Sequence, residues 1–125
     1  MKIYCHNYRS MSEALQRYVG KDLWLRVVIH CNVPNPHDDP DVTYEPLPSG
    51  PYYIQILSVN GDTCQAHLWD EEYFDIGAEW AAPTEYVLNE VYTVPTNKIA
   101  YYINSPEVYS TEELLEQFER NKRGE

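Results

Sequence analysis

Six of the nine prolines fall between Asn32 and Pro51 (Pro34, Pro36, Pro40, Pro46, Pro48 and Pro51), and that clustering limits every fold open to this chain. Each proline fixes φ and removes a backbone donor, so neither a helix nor an interior strand can run through the cluster. The segment 32–51 therefore reads as a semi-extended loop, with the regular elements built on either side of it. A structureless loop of about twenty residues is uncommon inside a compact domain, and such loops are usually functional or disordered.

Upstream of the loop, Leu23–Cys31 alternates. Leu23, Leu25, Val27, Ile29 and Cys31 face one way, and Trp24, Arg26, Val28 and His30 face the other. Both faces are largely apolar, which predicts a central strand. Downstream, Tyr52–Val59 and Asp62–Trp69 read as strands joined at Asn60-Gly61. A three-residue loop, Val59-Asn60-Gly61 with Gly61 left-handed, pairs Ile56 with Cys64, Ile54 with Ala66 and Tyr52 with Leu68, so that one face is apolar throughout. Tyr53, Gln55 and Leu57 then share the outer face with Thr63, Gln65, His67 and Trp69.

The remaining elements carry their own punctuation. Lys2–Tyr8 has the composition of a short first strand. Ser10-Met11-Ser12-Glu13 fits a capping box, and Met11, Ala14, Leu15 and Tyr18 follow at helical spacing up to Gly20, predicting a helix over Met11–Val19. Asp70–Gly77 reads as a capped helix of one or two turns, closed by Gly77. Tyr86–Val94 and Ile99–Ile103 read as strands around Pro95-Thr96-Asn97. Ser110-Thr111-Glu112-Glu113 is a second capping box, opening a C-terminal helix to about Lys122 with Leu114, Leu115 and Phe118 as its apolar stripe. Glu116 and Arg120, like Glu119 and Arg123, stand four apart in the charge order that the helix dipole favours.

A chain of 125 residues makes one domain, 1–125, which buries about two-thirds of its unfolded surface. The expected class is α+β: a five- to six-stranded, mostly antiparallel curved sheet or small open barrel, with a helix after the first strand and a C-terminal helix.

Charge sets the functional expectation. Residues 27–97 contain no lysine or arginine but hold twelve carboxylates, so the formal charge of -11 belongs to the middle of the chain. These carboxylates are interspersed with Tyr, Trp, Ile, Val and Leu, which places them on a folded surface rather than in a solvated tail. Such a surface repels nucleic acid and anionic membranes and attracts basic proteins. Twelve tyrosines add amphipathic rings of the kind protein interfaces use as anchors.

The expected function is therefore a non-enzymatic protein-interaction module that docks on a basic protein, for example a nucleic-acid-binding one. In composition and size the chain resembles the inhibitors with which phages and other mobile elements fill a nucleic-acid groove. That resemblance implies carboxylates standing where phosphates would lie. The contact residues expected are Asp38, Asp39 and Asp41 in the loop, with Asp70, Glu71, Glu72, Tyr73 and Asp75 around the short helix. Solubility alone is the bland explanation of the same charge.

Two other classes are weighed against docking: a small-ligand or metal-binding β-barrel, and an enzyme. The cluster His37-Asp38-Asp39-Pro40-Asp41 lacks the spacing and closing Glu of a calcium loop. Cys5, His30, Cys64 and His67 are zinc-ligand types, yet Cys64 and His67 point to opposite faces of one strand, and Cys31 and Cys64 fall on core faces. The five glycines form neither a phosphate cradle nor a nucleophile elbow, so no cofactor is called for. No segment has the about 20 apolar residues of a membrane span. Met1–Asn7 has no apolar stretch of the secretory kind, and the three cysteines are an odd number without a close pair. A cytoplasmic protein with reduced thiols is expected.

Overall fold

The computed structural model describes residues 8–36, 40–41, 45–78, 89–101 and 107–124. Helix α1 (Tyr8–Gln16) precedes β1 (Trp24–Ile29), β2 (Gly50–Asn60) and β3 (Thr63–Asp70). Helix α2 (Glu71–Ile76) follows at once, then β4 (Tyr92–Pro95), a 3₁₀ turn at Thr96–Lys98, β5 (Ile99–Tyr101), β6 (Val108–Tyr109) and the C-terminal helix α3 (Thr111–Lys122). The class is α+β, as the patterning predicts.

Strand order is β4-β3-β2-β1-β5, with β6 also paired to β1, and every pairing is antiparallel. β1 is thus interior, as its two apolar faces require. The corner where β3 meets β4 and the corner where β1 meets β5 are diagonally opposed, yet only Thr96–Lys98 separate β4 from β5. Three residues span roughly 10 Å at most. The sheet must therefore coil strongly, and it does so without β4 and β5 pairing among the described residues.

The hairpin register differs from the expected one. Asn60 pairs with Thr63, leaving Gly61-Asp62 as a two-residue turn with Gly61 at φ 63. Continued unbroken, that register would set Ile56 opposite His67 and put the apolar sets of the two strands on opposite faces. One extra residue between Ile56 and Ser58 corrects this: Ile56 pairs with Ala66, and Ile54 with Leu68. The side-chain faces are those predicted, although the pairs are shifted by two residues. At the bulge, the Ile56 carbonyl accepts the Gly20 N–H (3.3 Å).

Other boundaries shift for local reasons. Helix α1 begins at Tyr8, so Ser10 lies inside it rather than at its cap, and bonds such as Tyr18 N–H to the Leu15 carbonyl (3.0 Å) close it as tight turns before Gly20. The expected first strand at Lys2–Tyr8 lies outside the described residues, except for Tyr8. The same holds for Tyr86–Leu88 and for residues 102–103 of the two later strands. β6 carries no alternation long enough to read, and was not expected. The proline-rich loop is pinned at its neck by a Val33–Leu47 bridge with two 2.8 Å bonds, and Gly50 and Pro51 already belong to β2.

Alternation along the strands produces two cores. Leu25, Val27, Ile29, Tyr52, Ile54, Ile56, Cys64, Ala66 and Leu68 face α1, which contributes Met11 and Leu15. On the opposite face, Trp24, Tyr53 and Trp69 meet Phe74 of α2 with Leu114 and Phe118 of α3. The face expected to be outer is thus covered at this end by α2 and α3. α3 is set by its capping box: Ser110 Oγ accepts the Glu113 N–H (3.1 Å), and Glu113 Oε1 accepts the Ser110 N–H (2.8 Å). The Trp24 indole donates to the Thr111 hydroxyl (2.8 Å), which bonds in turn to Asp22 and ties the helix start to β1.

Candidate partner-binding surface

Six residues make too short a helix to persist alone, so α2 exists because the fold holds both of its ends. At the start, Asp70 Oδ1 accepts the Glu72 N–H (2.9 Å). At the end, Gly77 turns left-handed at φ 65, which the missing Cβ permits. A Cβ there would lie 2.5 Å from the Lys122 backbone nitrogen. Asn121 completes the join by donating its side-chain N–H to the Phe74 carbonyl (2.8 Å). The Phe74 ring is driven into the second core, with ring centroids 4.9 Å from both Tyr53 and Trp69.

With Phe74 facing inward, the outward residues are Glu72, Tyr73, Asp75 and Ile76. Tyr73 is 43% exposed and Ile76 65%. Being three apart, they form one apolar stripe between two carboxylates. Ile76 was missed by sequence reasoning, although its spacing from Tyr73 was the available signal.

Glu71 is different: it is 7% exposed, and its carboxylate is turned to Arg26. Arg26 Nε donates to Oε1 (2.7 Å) and an NH₂ group to Oε2 (3.2 Å), a bidentate pair, while a third donor reaches Glu107 (3.1 Å). The Tyr109 hydroxyl donates to the same Glu107 (2.6 Å). Its phenol and then the guanidinium hold Glu107 below the usual carboxylate range, and the Glu71 hydrogen bond raises Arg26 further. Glu71 thus joins α2 to β1 instead of facing a partner. The signal was Arg26 itself, the one charged side chain in β1, whose burial demanded a carboxylate.

Asp70 serves as the cap, and burial raises its carboxyl. Burial and then Glu71 raise Asp75. In the loop, Asp41 is exposed, as is Glu45, whereas Asp38 and Asp39 lie outside the described residues. The loop returns to the end of the sheet that carries α2: the Tyr52 hydroxyl donates to the Pro48 carbonyl (2.7 Å), and Tyr52 pairs with Asp70. Burial raises the Tyr52 phenol, and Asp70, Glu72 and Tyr73 add to the shift. Asp62 stands apart at the hairpin tip, roughly 25 Å from Asp70 along β3. The central carboxylates are therefore not one continuous face.

Among the described residues, no three His, Cys, Asp or Glu side chains are placed to share a metal ion. Cys64 is fully buried, which pushes its thiol up to about 12, and His67 Nδ1 lies 2.7 Å from the Glu90 carbonyl oxygen. No described helix is long and apolar enough to cross a membrane.

Beside α2 lies a groove of about 340 Å³. Tyr53, Phe74 and Leu114 form its floor, Tyr109 a wall, and Glu116 and Arg120 its rim on α3. Sequence reasoning missed it, because β2, α2, β6 and α3 each contribute only one or a few residues. No family model matches the chain, and no match appears among curated proteins or solved structures.

Proposed function

We propose that this chain is a non-enzymatic docking protein that presents α2, with the neighbouring loop, to a basic surface on another protein. The observation that carries this reading is the pairing of exposed Tyr73 and Ile76 with Glu72 and Asp75 on a helix fixed at both ends. Apolar anchors set among charges are what a docking patch needs: the anchors supply binding energy once desolvated, and the charges steer and select the partner. The fixed helix keeps the ordering cost of binding small. The patch is compact, with Glu71 neutralised and Asp62 remote, which favours a local docking surface over an extended phosphate mimic.

A pull-down from a lysate of the source organism, at low and high NaCl and with and without added DNA, tests this. Glu72→Lys/Asp75→Lys and Tyr73→Ser/Ile76→Ser are run beside the wild type. A basic protein is expected on the wild type at low salt, eluting at high salt and absent from both variants. Like-charge juxtaposition alone costs several kcal/mol. Equal capture by the wild type and both folded variants would remove α2 from the site. Displacement by DNA would identify a nucleic-acid-binding partner.

A further inference from the structure

We infer that the groove bounded by Tyr53, Tyr109 and α3 seats an arginine side chain of the partner protein; this rests on the docking function above and names the residue that function recognises. Size is the first constraint. Ligand pockets run from about 300 to 1,000 Å³. This one, at about 340 Å³, suits one large side chain.

The second constraint is the pair of phenols. Tyr53 and Tyr109 both line the groove, and the Tyr109 hydroxyl donates to Glu107 (2.6 Å). A phenol oxygen can accept from an incoming donor even while its own O–H is engaged.

Charge fixes the sign of the occupant. Glu71 and Asp75 act on Tyr53, Glu107 and Glu113 act on Tyr109, and Glu116 stands on the rim. Arg26 and Arg120 are the cations set against these five carboxylates. Two of the five are committed to Arg26, and Glu113 gives Oε1 to its cap. In the lining itself Glu113 and Glu116 outnumber Arg120, so the surplus is negative and favours a cation. The planar guanidinium suits the site better than an ammonium, because it stacks on phenol rings while its fork of donors reaches a carboxylate and a hydroxyl together. Phe74 lines the groove and Asp75 follows it on α2, so one basic partner segment can cover both sites.

The test is an NMR titration of the whole chain with the peptide acetyl-Gly-Gly-Arg-Gly-Gly-amide and with the same peptide carrying neutral citrulline. Saturable shifts are expected for the arginine peptide at Tyr109 and at the side-chain amide of Gln117, which lines the groove on α3, with the citrulline peptide about three- to tenfold weaker. Glu116→Gln should weaken binding and Arg120→Gln strengthen it; both side chains are exposed, so neither change threatens folding. Equal responses to the two peptides, absent shifts at the groove, or both variants moving affinity the same way would overturn the assignment. Asp62→Asn, exposed at the hairpin tip and away from both the groove and α2, should leave the titration unchanged. A chain that captures its partner through α2 but ignores the arginine peptide fails the groove assignment alone. Arginine binding with capture indifferent to α2 fails the docking reading alone.

Discussion

Replacing Arg26 by Met tests the link between the acidic region and the fold. The Glu71 side chain is 9% exposed and that of Arg26 30%, so the pair is buried on one side and open on the other. Removing one partner of a fully buried pair costs about 3–5 kcal/mol, because the other charge is left without compensation. Water reaching the Arg26 side lowers that expectation to about 2–3 kcal/mol. Glu107 loses a donor too, but it keeps the Tyr109 hydroxyl and is 33% exposed. Replacing both Arg26 and Glu71 by Met removes the stranded charge, so the double variant should lie within about 1 kcal/mol of the wild type. Urea unfolding followed by tryptophan fluorescence reads this, since Trp69 packs on Phe74 of α2; the midpoint should move with the slope unchanged. The cost should also depend on pH. The Tyr109 hydroxyl and then Arg26 lower Glu107, so removing Arg26 takes away only its share of a stability that is present above about 4.3 and lost as pH falls through the folded pKa, and the two proteins should draw closer in acid. A loss below about 0.5 kcal/mol at pH 7, or single-variant effects that simply add in the double variant, would refute the reasoning.

Two further outcomes follow from the geometry of α2. Gly77→Ala forces a side chain into left-handed backbone and against Lys122, and should cost about 2–4 kcal/mol by chemical unfolding. Gly61→Ala has the same sign of φ but open space, and should cost only about 1–2 kcal/mol. Asp75→Asn removes a carboxyl whose folded pKa is raised, a charge that opposes folding above that pKa and not below its unfolded value. Its melting temperature should therefore exceed that of the wild type at pH 7 and match it below about pH 3.9.

Elements with a local signal were legible in the sequence. Asp70 and Gly77 bound α2 because a cap and a left-handed stop are local chemistry, and Ser110 with Glu113 opens α3 for the same reason. The hairpin faces were legible too, because burying Ile54, Ile56, Ala66 and Leu68 together fixes parity. The register itself was not, since a bulge and a change of turn length compensate each other without altering which side chains are apolar. The two-sided core was also hidden. Tyr53 and Trp69 suit a wet face as well as a dry one, and only α2 and α3 arriving from distant sequence decide between them. The candidate site was half legible: composition indicates acid and tyrosine, but cannot say which carboxylate will meet the nearest arginine.

That choice is what gives the acidic region its surface character. Arg26 is the last cation before the uncharged-by-lysine stretch 27–97, and the fold turns it onto Glu71 and Glu107 rather than outward. With Arg26 engaged there, Glu72 and Asp75 of α2 and Asp41 and Glu45 of the loop stand exposed, with no lysine or arginine from their own stretch to offset them. The ion pair lies beneath a helix that displays Tyr73 and Ile76, which favours the proposed docking function over solubility alone. Placing the ion pair under α2 anchors the helix, and the exposed Glu72 and Asp75 above it suit the proposed basic partner.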